Sequence, residues 1–248
     1  MLNSVLIFVL AFSLSACSLF GADGIKSESS GDVYLQLGVR YLSLNKLEIA
    51  KENLELALKN NSDNLEAHIA IAFLYEKIGR FSEARDHYET AVSLAPADLS
   101  VQNNYGRFLC DRKEFDKGLS LLNQASSNAL NDKQWMALTN AGRCQLGMGQ
   151  KGKAESYFRV ALQANNSYAP ALQEMQKISF QKGDFWAAKG FLQRYLNVGE
   201  HTAETLLVAV ETERSLGNIE IAKEYHKLLI EKFPLSDEAK QLGPVPQY

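Results

Sequence analysis

The chain has 248 residues, a hydrophobic fraction of 46%, a charged fraction of 22% and a formal net charge of -3. This negative balance argues against nucleic acid as the main partner, because phosphate binding requires a basic surface. After Leu14 no stretch approaches the roughly 20 apolar residues of a membrane-spanning helix, so any membrane attachment is expected at the amino terminus.

The amino-terminal segment has the features of a lipoprotein signal peptide. Val5 to Leu14 form an apolar run of ten residues that only Ser13 interrupts. Such a run is too short to span a bilayer and is typical of the hydrophobic region of a signal peptide. It leads into Leu14-Ser15-Ala16-Cys17, and small residues directly before a cysteine at this place resemble the lipobox of bacterial lipoproteins.

The lipobox resemblance implies that residues 1–16 are cleaved and that Cys17 carries acyl chains such as palmitate. Ser18 is not the aspartate associated with inner-membrane retention, so the expected location is the periplasmic face of the outer membrane, lipid-anchored. The alternative is that Cys17 is an ordinary buried cysteine of a first helix. Residues 17–30, rich in glycine and serine, predict a lipidated flexible tether that reaches about 20 Å. They could instead be irregular residues packed on the first helix.

Residues 31–236 predict tandem tetratricopeptide (TPR) repeats. In the most regular copy, Tyr75 and Tyr88 provide the aromatic positions, Gly79 ends the first helix and Pro96 the second. Small residues let paired helices approach, aromatic rings fill the space between them, and glycine and proline end each helix. Steps of 34 residues, with the fourth copy two residues late, give repeats at 31–64, 65–98, 99–134, 135–168, 169–202 and 203–236.

The expected fold is all-α, a right-handed TPR solenoid of six helix-turn-helix repeats with a C-terminal capping helix. The two-residue shift falls in the polar stretch 126–133, which predicts a longer turn there. Residues 237–248 predict a capping helix and tail, because Ser236 can cap a short helix and Gly243 can stop it.

The sequence offers no catalytic constellation. It has no glycine-rich phosphate loop, no acidic or histidine metal cluster and no nucleophile elbow, so we expect no enzyme, no cofactor and no metal site. His68 and His226 fall at repeat positions that pack between helices, which favours a structural role over a ligand role. An enzyme with a catalytic groove is the alternative, and it lacks a convergent set of acid, base or metal ligands.

The first helices of a TPR array line a groove that binds partners, and this predicts the binding residues by position. The first two repeats place apolar side chains there and the later repeats polar, partly basic ones. Contiguous exposed apolar surface usually marks an interface and suits an amphipathic helix or an extended apolar segment. The alternative is that the tether covers the apolar part. The predicted groove residues are Leu35, Val39, Leu42, Ile69, Phe73, Asn103, Arg107 and Arg143.

Two cysteines predict a disulfide bond. Cys110 and Cys144 both lie late in the first helices of successive repeats, and those helices pack side by side. An oxidising periplasm permits the bond, which would contribute about 3 to 4 kcal/mol on the chain-entropy estimate. The alternative is a pair of small buried thiols.

The third repeat carries a more specific pattern than TPR repeats in general. The segment 103–110 reads Asn-Asn-Tyr-Gly-Arg-Phe-Leu-Cys, and 140–144 reads Asn-Ala-Gly-Arg-Cys. With the lipobox, the six repeats and the segment 154–158, the chain resembles the type IV pilus biogenesis lipoproteins of the PilF/PilW kind over nearly its whole length. The resemblance implies an outer-membrane pilotin that binds the pilus secretin and promotes its localisation and multimerisation. By the same resemblance Cys17 is the lipid site, and Cys110 and Cys144 match the cysteine-bearing members.

One alternative function shares the anchor and the repeats: a TPR lipoprotein adaptor for cell-wall (peptidoglycan) enzymes. In either case the expected partner is a protein, with no small-molecule substrate.

Overall fold

The computed structural model describes residues 30–128 and 130–245. Cys17, the signal peptide and nearly all of the tether predicted above lie outside the described residues. Within them the chain forms thirteen α-helices and no β-strand. The helices are α1 (Ser30–Ser43), α2 (Leu47–Asn60), α3 (Leu65–Lys77), α4 (Phe81–Leu94), α5 (Leu99–Asp111), α6 (Phe115–Ser127), α7 (Gln134–Gly147), α8 (Lys151–Ala164), α9 (Ala169–Gln181), α10 (Phe185–Leu196), α11 (Ala203–Ser215), α12 (Ile219–Lys232) and α13 (Asp237–Leu242).

The chain divides into two compact units. The first ends at Ser62 and contains α1 and α2; the second begins at Asp63 and contains α3 to α13. Each predicted repeat holds one helix pair, and the two helices of a pair pack against each other. The expected TPR array with a C-terminal helix is confirmed at the level of helix pairs.

Small residues at one repeat position explain the close packing within each pair. Four alanines there are completely buried, a fifth is 2% exposed, and the third repeat has a buried glycine. These residues are Ala50, Ala84, Gly118, Ala154, Ala188 and Ala222. A Cβ atom on Gly118 would lie 2.5 Å from the Sγ atom of Cys110 and 2.7 Å from the carbonyl oxygen of Gly106. The third pair therefore approaches more closely than a side chain at this position would allow.

The turn between the helices of each pair repeats one backbone conformation. One residue per turn has a positive φ angle, and the six positions follow the period of 34 with one step of 36. They are Asn45, Gly79, Lys113, Gly149, Gly183 and Gly217. Asn45 and Lys113 adopt this left-handed conformation, at φ 56° and 64°, without being glycine. Lysine is poorly suited to it, because its Cβ crowds the following carbonyl oxygen.

The step of 36 comes from the polar turn between α6 and α7, as the sequence predicts. Asn128 Oδ1 accepts a hydrogen bond from the amide of Leu130 at 2.9 Å, and Asn131 Oδ1 accepts one from Lys133 at 2.9 Å. Asn131 also donates to the carbonyl oxygen of Ala125 at 2.7 Å. Asparagine side chains therefore replace the backbone partners that a regular turn would provide.

The short helix α13 ends the second unit as expected. The hydroxyl of Ser236 accepts from the amide of Ala239 at 3.1 Å, and Gly243 at φ 69° stops the helix. Nε2 of His226 lies 2.9 Å from the carbonyl oxygen of Gly243. His226 is fully buried and His68 is 8% exposed, so both pack between helices as their repeat positions indicate.

Candidate protein-binding groove

The groove begins in the second unit with one exposed ring on a helix that is otherwise mostly buried. Seven of the thirteen residues of α3 are buried, whereas Phe73 is 40% exposed. Ile69 precedes Phe73 by one helical turn and is half-buried, so the two side chains share a face. The Arg107 guanidinium lies 5.8 Å from the centre of the Phe73 ring, and the Lys77 amine lies 5.9 Å from it. The ring therefore forms an apolar surface bordered by two cations.

Arg107 connects this ring to a buried ionic network. Its guanidinium donates to both carboxylate oxygens of Glu76, at 2.6 and 3.0 Å, and to Asp111 at 2.8 Å. The buried hydroxyl of Tyr88 donates to the same Glu76 carboxylate at 2.6 Å. Burial raises the pKa of the Tyr88 hydroxyl, and the adjacent Glu76 carboxylate raises this pKa further. Bidentate pairing fixes the Arg107 side chain on this face.

Hydrogen bonds continue along the first helices of the next repeats. Asn140 on α7 donates to Asn103 on α5 at 2.9 Å. Nε of Arg143 donates to Glu174 on α9 at 2.9 Å, and Lys177 contacts the other oxygen of Glu174 at 3.0 Å. Glu76 and Glu174 therefore pair with the two arginines that the sequence assigns to the groove, in each case across neighbouring repeats.

Cys110 and Cys144 form a disulfide bond between α5 and α7, with a Cα–Cα distance of 5.3 Å. Both cysteines line a depression of about 410 Å³. Arg107, Asn140 and Arg143 line the same depression. The bond therefore links the two helices that carry the central groove residues.

The first unit presents a smaller apolar surface than predicted. Val39 is 47% exposed and Leu35 is half-buried. Leu42 is only 7% exposed. A groove residue must offer its side chain to a partner, so the assignment of Leu42 to an open groove is wrong.

The sequence prediction missed an apolar part of the same face in the last two repeats. Phe180 on α9 and Leu207 and Val208 on α11 line a depression of about 240 Å³ beside Glu204 and Glu211. Phe180 holds the same repeat position as Leu42, and Leu207 holds the same position as Leu35 and Ile69. The repeat positions that assign groove residues in the first four repeats therefore also identify these two residues.

The described ranges contain no group of three or more histidine, cysteine, aspartate or glutamate side chains arranged to hold a metal ion. Nor does any helix in them have the length and apolarity needed to cross a bilayer. The chemical features of the groove are therefore an exposed aromatic ring, paired charges and amide groups, which suit noncovalent recognition of a protein segment.

Comparison with known proteins agrees with the helix pairs. Tetratricopeptide repeat family models match residues 31–64 and 65–98. The sequence is 25% identical to the type IV pilus assembly protein PilF of Pseudomonas aeruginosa over 244 residues, 96% of this chain and 97% of that protein.

Two solved structures match the fold over most of the chain. A structure of P. aeruginosa PilF superposes with a TM-score of 0.72 and 25% identity, over 86% of this chain and 96% of that one. The structure of PilW, a widely conserved type IV pilus biogenesis factor, has a TM-score of 0.73 and 27% identity, over 86% and 97% of the two chains.

The helix pairs and the repeat matches define a TPR fold. Among proteins with this fold, the chain is homologous to PilF and similar in structure to PilF and PilW.

Proposed function

We propose that this protein is an outer-membrane lipoprotein that binds the type IV pilus secretin and promotes its localisation and multimerisation. The observation that carries the proposal is the similarity to PilF over nearly the full length of both proteins. Acylated Cys17 is the proposed anchor, because the lipobox-like segment precedes it. The proposed location is the periplasmic face of the outer membrane.

The groove suits this role for a physical reason. A secretin subunit is rich in β-structure and exposes apolar surface and strand edges before it assembles, and both promote aggregation. Phe73 offers apolar contact area at the groove, and the neighbouring paired charges offer polar contacts at its border. A lipid-anchored protein with such a groove can hold one subunit segment at the membrane until subunits associate.

The proposal is tested by titrating the purified periplasmic region of the secretin into the unsubstituted protein and into the protein carrying Phe73→Glu, and comparing the two affinities. The substitution puts a charge where the apolar segment docks, so we expect a loss of binding of about tenfold or more, as for an interface hot spot. Because Phe73 is 40% exposed, we expect the free energy of unfolding to stay within about 0.5 kcal/mol of the unsubstituted protein.

Val160→Glu is the matched control, because Val160 is 46% exposed on α8, a second helix of its pair, and lies outside the groove. It should leave secretin binding unchanged. Equal binding by the Phe73→Glu protein and the unsubstituted protein, or global unfolding of the Phe73→Glu protein, would show that the groove is assigned wrongly.

A further inference from the structure

The depression of about 410 Å³ that Cys110 and Cys144 line has more cations than carboxylates in its lining. We call it the α5–α7 depression. Asp111 is the one carboxylate among the residues that line it, and three of these residues are cations. The cations are Arg107, Lys113 and Arg143. The depression therefore suits an anionic group of a ligand better than a cationic one.

Two of the three cations keep donors for such a ligand. Arg107 is the exception, because its guanidinium already donates to two carboxylates. Arg143 donates from Nε to Glu174, which leaves the two terminal nitrogens of a guanidinium that is 44% exposed. The Lys113 amine makes no ion pair within the part of the chain that the structure describes. Lys113 and Arg143 can therefore both donate to one added carboxylate.

The backbone at Lys113 is a separate observation that points to the use of its amine. Lys113 has φ 64°, in a turn position where four other repeats have glycine and one has asparagine. Residues held in a disfavoured backbone conformation cluster at binding sites, where the function of the side chain accounts for the strain. This turn places Lys113 at the edge of α5 where its side chain lines the depression.

The depression also has apolar lining and adjoins the Phe73 surface. Phe115 and Gly147 line it, and a Cβ atom on Gly147 would lie 3.0 Å from the Phe115 ring. The methylene groups of a glutamate side chain suit such a lining, and its carboxylate suits the cations. Arg107 lines the depression and lies 5.8 Å from the centre of the Phe73 ring, so one partner segment can contact both places.

We propose that the α5–α7 depression binds a glutamate side chain of the partner segment that contacts Phe73. The Lys113 amine and the terminal nitrogens of Arg143 donate to its carboxylate. The inference rests on the proposed function in taking the secretin as the protein that supplies this segment. The carboxylate site itself can be tested without the secretin.

The site is tested by following backbone amide resonances of the full chain carrying Cys17→Ser, which removes the acylation site, during titration with N-acetyl-glutamate amide. N-acetyl-glutamine amide is the matched ligand of the same size without the charge. We expect saturable shifts at the Lys113 and Gly147 amides with the glutamate ligand and none with the glutamine ligand. The glutamate shifts should weaken as salt is added, because salt screens the charges.

Two substitutions that each remove one lysine charge make this test specific. Lys113→Gly should abolish the shift at Gly147 without destabilising the protein, because glycine suits the positive φ angle, so unfolding would not explain the loss. Lys117→Met is the control, because the Lys117 side chain is 77% exposed on α6 and does not line the depression. It should leave the shifts unchanged. Equal shifts with the glutamine ligand, or an undiminished shift in the Lys113→Gly protein, would overturn the proposal.

The same two variants test the secretin as the source of the glutamate. Lys113→Gly should weaken binding of its periplasmic region about fivefold or more and make binding less dependent on salt, whereas Lys117→Met should change neither. Full affinity of the Lys113→Gly protein, together with weak binding by the Phe73→Glu protein, would overturn this assignment and leave the proposed function standing. Absence of binding by the unsubstituted protein would instead contradict the proposed function, and the titration with N-acetyl-glutamate amide then decides the site alone.

Discussion

At the scale of single residues, the number of cations that pair with each groove glutamate decides how much its arginine contributes to the free energy of unfolding. The Glu76 side chain is 12% exposed and has Arg107 as its cation, with the Tyr88 hydroxyl as a further donor. The Glu174 side chain is 8% exposed and pairs with both Arg143 and Lys177. Removing Arg107 therefore leaves the buried Glu76 carboxylate without its cation. Removing Arg143 leaves the Glu174 carboxylate paired with Lys177.

Arg107→Met should lower the free energy of unfolding by about 3 kcal/mol, because an uncompensated charge stays buried at Glu76. Arg143→Met is the matched substitution and should cost less than about 1 kcal/mol, since Lys177 still pairs with Glu174 and the Arg143 side chain is 44% exposed. Urea denaturation of both proteins measures the difference. Equal losses would mean that the Glu76 network does not stabilise the fold as described.

At the scale of elements, the turn between α5 and α6 contains a residue that its backbone does not favour. Lys113 has φ 64°, in a position where four other turns have glycine. The sequence does not reveal this turn by composition, because lysine is not a turn-forming residue. The repeat period alone indicates it.

Lys113→Gly should raise the free energy of unfolding by about 1 kcal/mol, because relief of the left-handed strain exceeds the entropy that glycine adds to the unfolded chain. Gly149→Lys is the reverse change at the equivalent turn, where a Cβ atom would meet nothing within 4 Å. It should lower stability by a similar amount through backbone strain alone. Thermal unfolding of both proteins checks the prediction, and a stabilising Gly149→Lys would contradict it.

The disulfide bond acts at the same scale, because it links α5 and α7 across the irregular turn. It closes a loop with a sequence separation of 34 residues. Reduction should therefore lower the free energy of unfolding by about 3 to 4 kcal/mol. The measurement is urea denaturation with and without reductant, together with thiol titration of the denatured protein. The same thiol count under both conditions would show that the bond is absent from the purified protein.

At the scale of the whole molecule, the repeat period predicts the helix pairs because the two helices of every pair pack around a small residue at the same repeat position. Ala84 and Ala154 are two of these buried residues, and the sequence shows that they hold the same repeat position. The ion pairs of Arg107 and Arg143 were not predicted, because their partners lie in other repeats and depend on side-chain direction. The prediction that Leu42 is exposed was wrong, because the repeat position alone does not determine how far a side chain is buried.

The amino-terminal anchor belongs to the same scale and stays a prediction from the sequence. Attachment through Cys17 would keep the groove near the outer membrane, where the proposed partner assembles. A protein without the anchor would still fold and bind, but it would lose the high local concentration that the membrane provides. Binding and anchoring therefore contribute separately to the proposed function.

The most direct test of the proposed function is the amount of secretin multimer in outer-membrane fractions of three strains. One strain carries the unsubstituted gene, one a deletion, and one the gene encoding Cys17→Ser. We expect multimers in the first, monomeric or mislocalised secretin in the second, and an intermediate loss in the third. Unchanged multimers in the outer membrane of the deletion strain would contradict the proposal that this protein promotes secretin assembly.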